Sequence, residues 1–533
     1  MRRFLGSGVL VRETCLTGRE VGVQGRSDPN QQLLDAAGLV GHLVADASVH
    51  AFLAEHRETL FPDELFADLF PSGRGRPSVP AAVAAAVMVL QSLEGLSDRE
   101  AMERLRCDIR WKVATGLALD HAGFHPTTLT YWRRRLRASD RPERIFDAVR
   151  DVIAQTGTLS RSTRRALDST VLDDAVATQD TVTQLVAQIR RVRGQVPVAG
   201  EVEVDGHDYG RAGKPECDWA DPAAREQLIS QLVADALKIL AALEDVELDY
   251  EQTEAVGLLA LVAGQDVEPG EDEGSWRIAR RTAKDRVIST VDPESRHVHK
   301  NRRTYLDGFK AHISVEPNSG LIAAAKLTAG NVADGPTGVE LLDNEDGPVE
   351  VLADSAYSSA DTLIALADAN HAATIKPWPT RRMTSHPQAF TITDFDIDTA
   401  AGTATCPAGH TVTITPAGAA RFTTRCHDCP LRDRCTTAKR GKILNVHPHH
   451  DVHAAARTAA SDPDWQDRYR QHRPMVERTI AWLVRRGHRR VRFRGIAANQ
   501  LWLTHRAAAV NLQRLLALGL DRDQGTWTLP APA

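Results

Sequence analysis

The chain has 533 residues, of which 42% are hydrophobic and 25% charged, and its formal net charge is −5. This composition is typical of a soluble globular protein and argues against a uniformly basic nucleic-acid coat. The length predicts two to four domains. The N-terminus lacks an apolar run of signal-peptide length, and the longest apolar run, residues 79–90, is too short to cross a bilayer. We therefore expect an intracellular protein.

The first 150 residues predict a helical region. Residues 1–60 carry weak signals and form a variable N-terminal segment. Residues 61–150 predict short helices with tight turns, including a capping box from Ser97 to Glu100, and thus a helix-turn-helix-like, DNA-binding domain. Its last helix contains "YWRRRLR", whose Arg133 and Arg134 are candidate DNA contacts. The alternative is an exposed helix that covers the domain core.

Residues 151–377 predict the first part of an α/β core. A strand at 163–176 has Asp168 near its centre, and a charged helical insertion follows at about 180–262. An alternating stretch at 305–330 then predicts a hairpin. Next comes "VEVLADSAYSS", an apolar strand that stops at Asp354. An Asp in this position either caps a turn or presents its carboxylate to a ligand at the strand tip.

Residues 378–445 are rich in Thr, Pro, Gly and Cys and predict a small inserted module. Its four cysteines have the spacing C-x19-C-x2-C-x5-C, and they are Cys406, Cys426, Cys429 and Cys435. Four thiolates with a C-x2-C pair predict a structural Zn²⁺ site, in which His410 or His427 could replace one cysteine. The alternative is a set of unligated buried cysteines.

Residues 446–520 predict the C-terminal helices of the core, and 521–533 form a tail. The stretch 469–487 is expected to lie in the longest of these helices, with Glu477 on an amphipathic face and Arg473 one turn earlier. The following "RRGHRRVRFRG" contains no acidic residue, and arginine forks match phosphate geometry. The candidate DNA contacts of this region are Arg473, Arg478, Arg485, Arg486, Arg489 and Arg490. A solvated face is the alternative.

Asp168, Asp354 and Glu477 together match one chemistry. Phosphoryl transfer with two divalent ions needs several carboxylates that converge on metals ~4 Å apart. Mg²⁺ prefers carboxylate oxygens and water as ligands. Two carboxylates on adjacent strands and a third from a helix packed across them would supply such a site.

The motifs resemble those of insertion-sequence DDE transposases with an RNase H-like core, and most closely the bacterial family numbered eleven eighty-two. The resemblance extends from about residue 60 to 518. Its motifs, in family order, are "GLSDREAMERLRCDIRWKVATGL", "ALDSTVLDD", "DGFKAHISVEPNSGLIAAAKLTAGNVADG", "VLADSAYSS", "CHDCPLRDRC" and "RPMVERTIAWLVRRGHRRVRFRG".

The resemblance implies an α/β, RNase H-like mixed sheet with flanking helices, an all-α N-terminal domain and a zinc-ribbon-like insertion. It places the catalytic triad at Asp168, Asp354 and Glu477, with Asp173 and Asp174 as competitors for the first position. It further implies Mg²⁺ or Mn²⁺ for catalysis. The expected partners are the terminal inverted repeats and target DNA, in a homodimeric assembly at the bacterial nucleoid in the cytoplasm, without a membrane.

Two other functions remain open at this stage. One is an RNase H-type, metal-dependent nuclease that hydrolyses strands without joining them. The other is a zinc-containing DNA-binding regulator without catalysis.

Overall fold

The computed structural model describes residues 23–26, 35–72, 74–211, 213–281, 283–299, 305–380 and 388–530. Three predicted regions lie partly outside these ranges: much of the variable segment 1–60, residues 381–387 of the cysteine-rich module and the last three residues of the tail. No single helix of the described residues is long and apolar enough to cross a bilayer. Two consecutive helices, 81–94 and 98–107, reach that length and apolarity only when they are taken together, and they are bent by 109° where they meet.

The N-terminal region is mainly helical, but it is not all-α, because short strands at Val23–Gly25 and Pro77–Pro80 pair in parallel. Its long apolar helix is almost wholly buried and ends at Gly95, whose φ of 73° suits glycine. The capping box between Ser97 and Glu100 is present. The elements are β1 (Val23–Gly25), α1 (Ala36–Val40), α2 (Val49–Leu60), β2 (Pro77–Pro80), α3 (Ala81–Glu94), α4 (Asp98–Cys107), α5 (Ile109–Thr115), α6 (Thr127–Ala138), α7 (Arg144–Gln155) and α8 (Thr158–Arg161), with 3-10 turns at Gly41–Leu43 and Asp63–Leu69.

A mixed sheet forms the centre of the fold. The strands are β3 (Arg164–Asp173), β6 (Arg296–His299), β7 (Tyr305–Val315), β8 (Ile322–Ala329), β9 (Glu350–Ala353) and β10 (Ala372–Ile375). Their order is β10-β9-β3-β7-β6, and β8 pairs with a different part of β7. β10, β9 and β3 run parallel, whereas β7 is antiparallel to β3, β6 and β8. The predicted hairpin is β7–β8, and the α/β class is confirmed.

The insertion between β3 and β6 has its own hydrophobic core. It contains α9 (Thr181–Gln195), α10 (Pro197–Glu201), α11 (Pro222–Ala242), α12 (Tyr250–Gln265), β4 (Val267–Pro269) and β5 (Trp276–Ile278). The helices α13 (Asp334–Glu340) and α14 (Ala360–Asp368) flank the sheet, and a 3-10 turn, Ser355–Tyr357, follows β9.

The cysteine-rich module is built from short strands around a small core that includes Phe395, Phe422, Cys426 and Cys435. Its elements are 3-10 turns at Ile392–Asp394 and Thr423–Cys426, together with β11 (Asp396–Asp398), β12 (Thr403–Thr405), β13 (Thr411–Thr413), β14 (Ala419–Arg421), α15 (Arg432–Cys435) and β15 (Ile443–Asn445).

The C-terminal helices correct one prediction. Residues 469–487 do not lie in one long helix, because the stretch is divided at Pro474, which cannot donate the backbone hydrogen bond that a continuous helix needs. The longest helix here is instead α19. The elements are α16 (His450–Ala459), α17 (Pro463–His472), α18 (Pro474–Leu483), α19 (Ile496–Ala517), β16 (Asp521–Asp523) and β17 (Thr526–Thr528).

One hydrophobic core joins the N-terminal helices to the sheet and to α19. Arg506 on α19 reinforces this junction. It is 3% exposed and donates to the carbonyls of Leu483 at 2.9 Å and Ser92 at 2.9 Å, near the C-terminal ends of α18 and α3. The helix that carries Glu477 is therefore fixed to both the sheet and the N-terminal helices.

Candidate active site

The register between β3 and β9 brings the first two carboxylates together. Ala166 is paired with Leu352 in a parallel ladder. Continuing this register by two residues places Asp168 level with Asp354, which follows directly after β9. Because residues that lie level on neighbouring strands point to the same face of a sheet, the two side chains occupy neighbouring positions at the C-terminal end of β9.

Asp168 is largely buried beside a cation. Its side chain is 14% exposed, and its Oδ2 lies 3.0 Å from Nη2 of Arg473. Its Oδ1 accepts a hydrogen bond from the backbone N–H of Ser169 at 2.8 Å. Burial raises the pKa of Asp168, the Arg473 guanidinium opposes this rise, and the Asp354 carboxylate adds to it. The electrostatic influence of Asp354 agrees with the register of the strands.

Asp354 caps the 3-10 turn that follows β9. Its Oδ1 accepts a hydrogen bond from the N–H of Ala356 at 2.9 Å. The turn therefore uses one carboxylate oxygen, as the cap interpretation predicts, and leaves the other oxygen for a ligand. Tyr357 on this turn is buried, and its hydroxyl has no hydrogen-bond partner among the described residues. Burial raises the pKa of Tyr357 well above its usual value.

The junction of α17 and α18 supplies the third carboxylate. Pro474 starts α18, which packs against β3 and β7 and carries Glu477 in its first turn. Arg473 at the junction is buried, and its Nη1 lies 3.5 Å from Oε1 of Glu477. Glu477 itself remains exposed at 68%. One guanidinium thus connects the carboxylates of Asp168 and Glu477.

Tyr469 on α17 is influenced by the charges of all three carboxylates. Burial raises the pKa of its phenol, Arg473 opposes the rise, and Asp354, Glu477 and Asp168 all add to it. The ring of Tyr469 is stacked on Trp465, with centroids 5.2 Å apart and planes within 5°. Trp465 and Tyr469 are four residues apart on α17, and Arg473 follows four residues later, so these side chains lie on one helix face. Sequence reasoning missed Trp465, which stacks on Tyr469.

Asp173 and Asp174, the competitors of Asp168, point to structural roles. Asp174 is buried and accepts a hydrogen bond from Ser295 at 2.6 Å. Asp173 lies at the end of β3, where its backbone N–H donates to the carbonyl of Arg489 at 2.8 Å. Asp173 lies five positions after Asp168, and side chains alternate between the two faces along a strand. The side chain of Asp173 therefore lies on the opposite face of the sheet.

The arginine-rich stretch after α18 is held along the end of β3. Arg486 donates to the carbonyl of Leu93, Arg489 donates to Thr170 Oγ1 at 2.7 Å, and Arg490 donates to the carbonyl of Asp174 at 2.9 Å. Arg478 and Arg485 are exposed, and their side chains make no hydrogen bond or ion pair to the described residues. Sequence reasoning missed that this stretch packs against β3. The alternation of apolar and basic residues in "VRFR" is the signal in the sequence that indicates an extended chain there.

The two arginines predicted on α6 differ in their surroundings. Arg133 is 8% exposed, forms an ion pair with Asp98 and lies over the ring of Phe493. Arg134 is exposed and lies over the Tyr131 ring, 5.4 Å from its centroid. Of the two guanidinium groups, that of Arg134 is the one on the protein surface.

The four cysteines of the module line one small cavity, together with His410. Burial raises the pKa of Cys435, and Cys426, Cys406 and Cys429 add to this rise, as expected for thiols that lie close together. The backbone N–H of Lys442 donates to Cys426 Sγ at 3.4 Å. His427, by contrast, is exposed on the surface.

Within the described ranges, no group of three or more His, Cys, Asp or Glu side chains is drawn together closely enough to hold a metal ion. The donor chemistry nevertheless fits the expected ions at both places. The carboxylate oxygens, which here contact the Arg473 guanidinium, are ligands that suit Mg²⁺ or Mn²⁺. The four thiols around one cavity are ligands that suit Zn²⁺.

Two protein-family models match the chain. "Transposase DDE domain" matches residues 405–516, which include Glu477, the four cysteines and the arginine-rich stretch. "Transposase domain (DUF772)" matches residues 46–135, which include Arg133 and Arg134. Asp168 and Asp354 lie outside both matches. No curated protein and no solved structure matches the chain.

The two matches support a bacterial insertion-sequence DDE transposase, and they do not distinguish the numbered family. Both matching models describe transposase domains, and transposases act on DNA.

Proposed function

We propose that the protein cleaves DNA at the ends of its insertion sequence and joins the freed 3′ ends to target DNA, in a divalent-metal-dependent reaction on an RNase H-like core. The observation that carries this proposal is that Arg473 contacts both Asp168 and Glu477, while the register of β3 and β9 sets Asp354 beside Asp168. Three carboxylates from two adjacent strands and a crossing helix form the donor set that this chemistry requires.

Asp168, Asp354 and Glu477 would hold Mg²⁺ or Mn²⁺, which when bound would activate the attacking oxygen and stabilise the leaving oxygen of the phosphodiester. The protein's own contribution is to fix the carboxylates. Backbone N–H groups of Ser169 and Ala356 orient Asp168 and Asp354. The exposed Glu477 lies at the open side of the site, where a DNA strand can approach.

Exposed arginines around the site would bind the DNA backbone. Arg478 adjoins Glu477, and Arg485 follows α18, so both can reach phosphates near the reacting strand. Arg473, Arg486, Arg489 and Arg490 remain proposed contacts that already donate within the fold. Arg134 on α6 is the proposed contact of the N-terminal helices, which would recognise the terminal repeats.

The cysteine module would hold a structural Zn²⁺ through Cys406, Cys426, Cys429 and Cys435. The N–H group of Lys442 that donates to Cys426 Sγ would stabilise a thiolate there. The module is small, and a bound ion would add to the stability that its limited core provides. It would act within a homodimer assembled on two element ends.

A strand-transfer assay tests the proposed function. Purified protein is incubated with Mg²⁺, a labelled duplex from the DNA that flanks the coding region, and a target plasmid. Transposition predicts cleaved ends that become covalently joined to the plasmid. Cleavage without joining would favour a nuclease, and binding without cleavage would favour a DNA-binding regulator.

A further inference from the structure

The guanidinium of Arg473 lies between two of the three carboxylates of the proposed metal site. Nη2 lies 3.0 Å from Asp168 Oδ2, and Nη1 lies 3.5 Å from Glu477 Oε1. The side chain is 6% exposed, and its Nε has no hydrogen-bond partner among the described residues. Its only described anchors are therefore two carboxylates that the proposed function assigns to metal ions.

We propose that Arg473 is an internal counter-ion that competes with the divalent ion for Asp168, so that metal binding releases Arg473 from the carboxylates. This inference rests on the proposed function. It deepens that function, because a bound metal ion would decide whether the Arg473 guanidinium is paired with the carboxylates or free to pair with another group.

The argument for competition is electrostatic. Asp168 and Asp354 are neighbours, and a buried pair of like charges is unfavourable without a cation. Burial works against the charged form of Arg473, yet Asp168, Tyr469 and Asp354 together outweigh it, so the pKa of Arg473 is raised. A guanidinium does not lose its proton at accessible pH, so it leaves only by moving.

The position of Arg473 makes such a movement local. It is the junction residue between α17 and α18, and the following Pro474 removes one backbone hydrogen bond at this point. In the proposed exchange, only the Arg473 side chain would rotate, and α17 and α18 would keep their positions.

A metal titration of Arg473→Gln tests the competition. Mn²⁺ binding is measured by electron paramagnetic resonance at pH 8 without DNA, which keeps the carboxylates ionised. We expect the variant to bind Mn²⁺ roughly tenfold more tightly than the wild type. Arg470→Gln is the matched control, because Arg470 lies on the same helix and pairs with the exposed Asp467 instead.

The outcomes separate this inference from the proposed function. If the wild type binds Mn²⁺ and Arg473→Gln binds it equally or more weakly, Arg473 is not a competitor and the inference fails while the metal site stands. If neither protein binds Mn²⁺, the carboxylates are not a metal site and the proposed function fails with it.

Chemical labelling of the wild type avoids any loss of fold in the variant. Phenylglyoxal modifies accessible arginines, and mass spectrometry locates the modified residues. We expect Arg473 to be protected without divalent ions and to become several-fold more reactive when Mg²⁺ is added, whereas Arg470 reacts equally in both conditions. Equal protection of Arg473 with and without Mg²⁺ would overturn the inference.

Discussion

The carboxylate centre and the cysteine module achieve convergence in different ways. The four cysteines lie within 30 residues of one another and meet through short local strands and turns. The three carboxylates span more than 300 residues of the chain, from Asp168 to Glu477. They come near one another only because β3 pairs with β9 and α18 packs against both β3 and β7. The module is thus a local structure, whereas the carboxylate centre depends on the register of the whole sheet.

The two regions also differ in what compensates their charge. In the carboxylate centre, Arg473 already neutralises part of the negative charge within the fold. In the module, burial raises the pKa of Cys435 although Lys442 opposes this rise, and the backbone N–H of Lys442 donates to Cys426 Sγ within a small core. The module should therefore depend on its ion for stability, and the carboxylate centre should depend on its ion for activity.

The largest expected effect is on catalysis. Asp168→Ala, Asp354→Ala and Glu477→Ala should each lower strand cleavage by about a thousandfold or more, because metal positioning supplies several kcal/mol and fails when one ligand is lost. Cleavage is measured on labelled terminal duplexes, and circular dichroism checks the fold. Combining two of these changes should add little. Wild-type cleavage by any one variant would remove that residue from the centre.

The next effect is on the stability of the module. Cys429→Ser should reduce bound Zn²⁺ from about one per chain to almost none and should open the module to proteolysis, since small metal sites couple binding to folding. Metal analysis and limited trypsin digestion measure the two changes. Cys107→Ser is the control, because Cys107 is exposed and lies far from the module in sequence.

If the module is local, Mn²⁺ binding at the carboxylates should survive in Cys429→Ser. Loss of both metals together would show that the two regions fold as one unit. An ordered, protease-resistant module in a metal-free wild-type chain would contradict the zinc assignment.

A smaller effect concerns DNA affinity. Arg478→Gln combined with Arg485→Gln should reduce the dependence of log affinity on log salt by about 0.9 per lost phosphate contact on duplex DNA. The weakening should be equal for terminal and scrambled duplexes, because phosphate contacts carry no sequence information. Arg470→Gln serves again as the control. An unchanged salt slope would mean that these arginines form only a solvated surface.

The smallest effect is predicted for Asp173→Asn. Asp173 lies beyond Asp168 on the other face of β3, and its described hydrogen bonds to residues 489–491 come from the backbone. We expect cleavage within about twofold of the wild type, as for most substitutions away from a specific interaction. A loss comparable to that of Asp168→Ala would transfer the first catalytic position to Asp173.

The sequence predicted the regular elements better than their assembly. The alternation at 305–330 and the Ser97–Glu100 capping box were local signals, and both elements are present. Pro474 was also visible in the sequence, yet the helix on both sides of it was predicted as continuous. Pairing between β3 and β9 depends on residues almost 200 positions apart, for which periodicity carries no information.

The sequence named the residues of the candidate site, whose roles stay predictions, but it did not give their contacts. Asp168, Asp354 and Glu477 were named from strand ends, a helix face and family motifs. The sequence does not predict which arginines reach the surface. Arg133 and Arg134 are adjacent in one basic run, yet Arg133 pairs with Asp98 inside the fold. The ion pair between Arg473 and Asp168 likewise depends on tertiary structure alone.

Iron-mediated cleavage of the protein chain would test the central claim most directly. Fe²⁺ bound in place of Mg²⁺ produces hydroxyl radicals with ascorbate and peroxide, and these cut the polypeptide next to the ion. The account predicts three cuts, near Asp168, Asp354 and Glu477, which disappear together with excess Mg²⁺ and in Asp354→Ala. Cuts that avoid any one of these three places would contradict a single centre built from the three carboxylates.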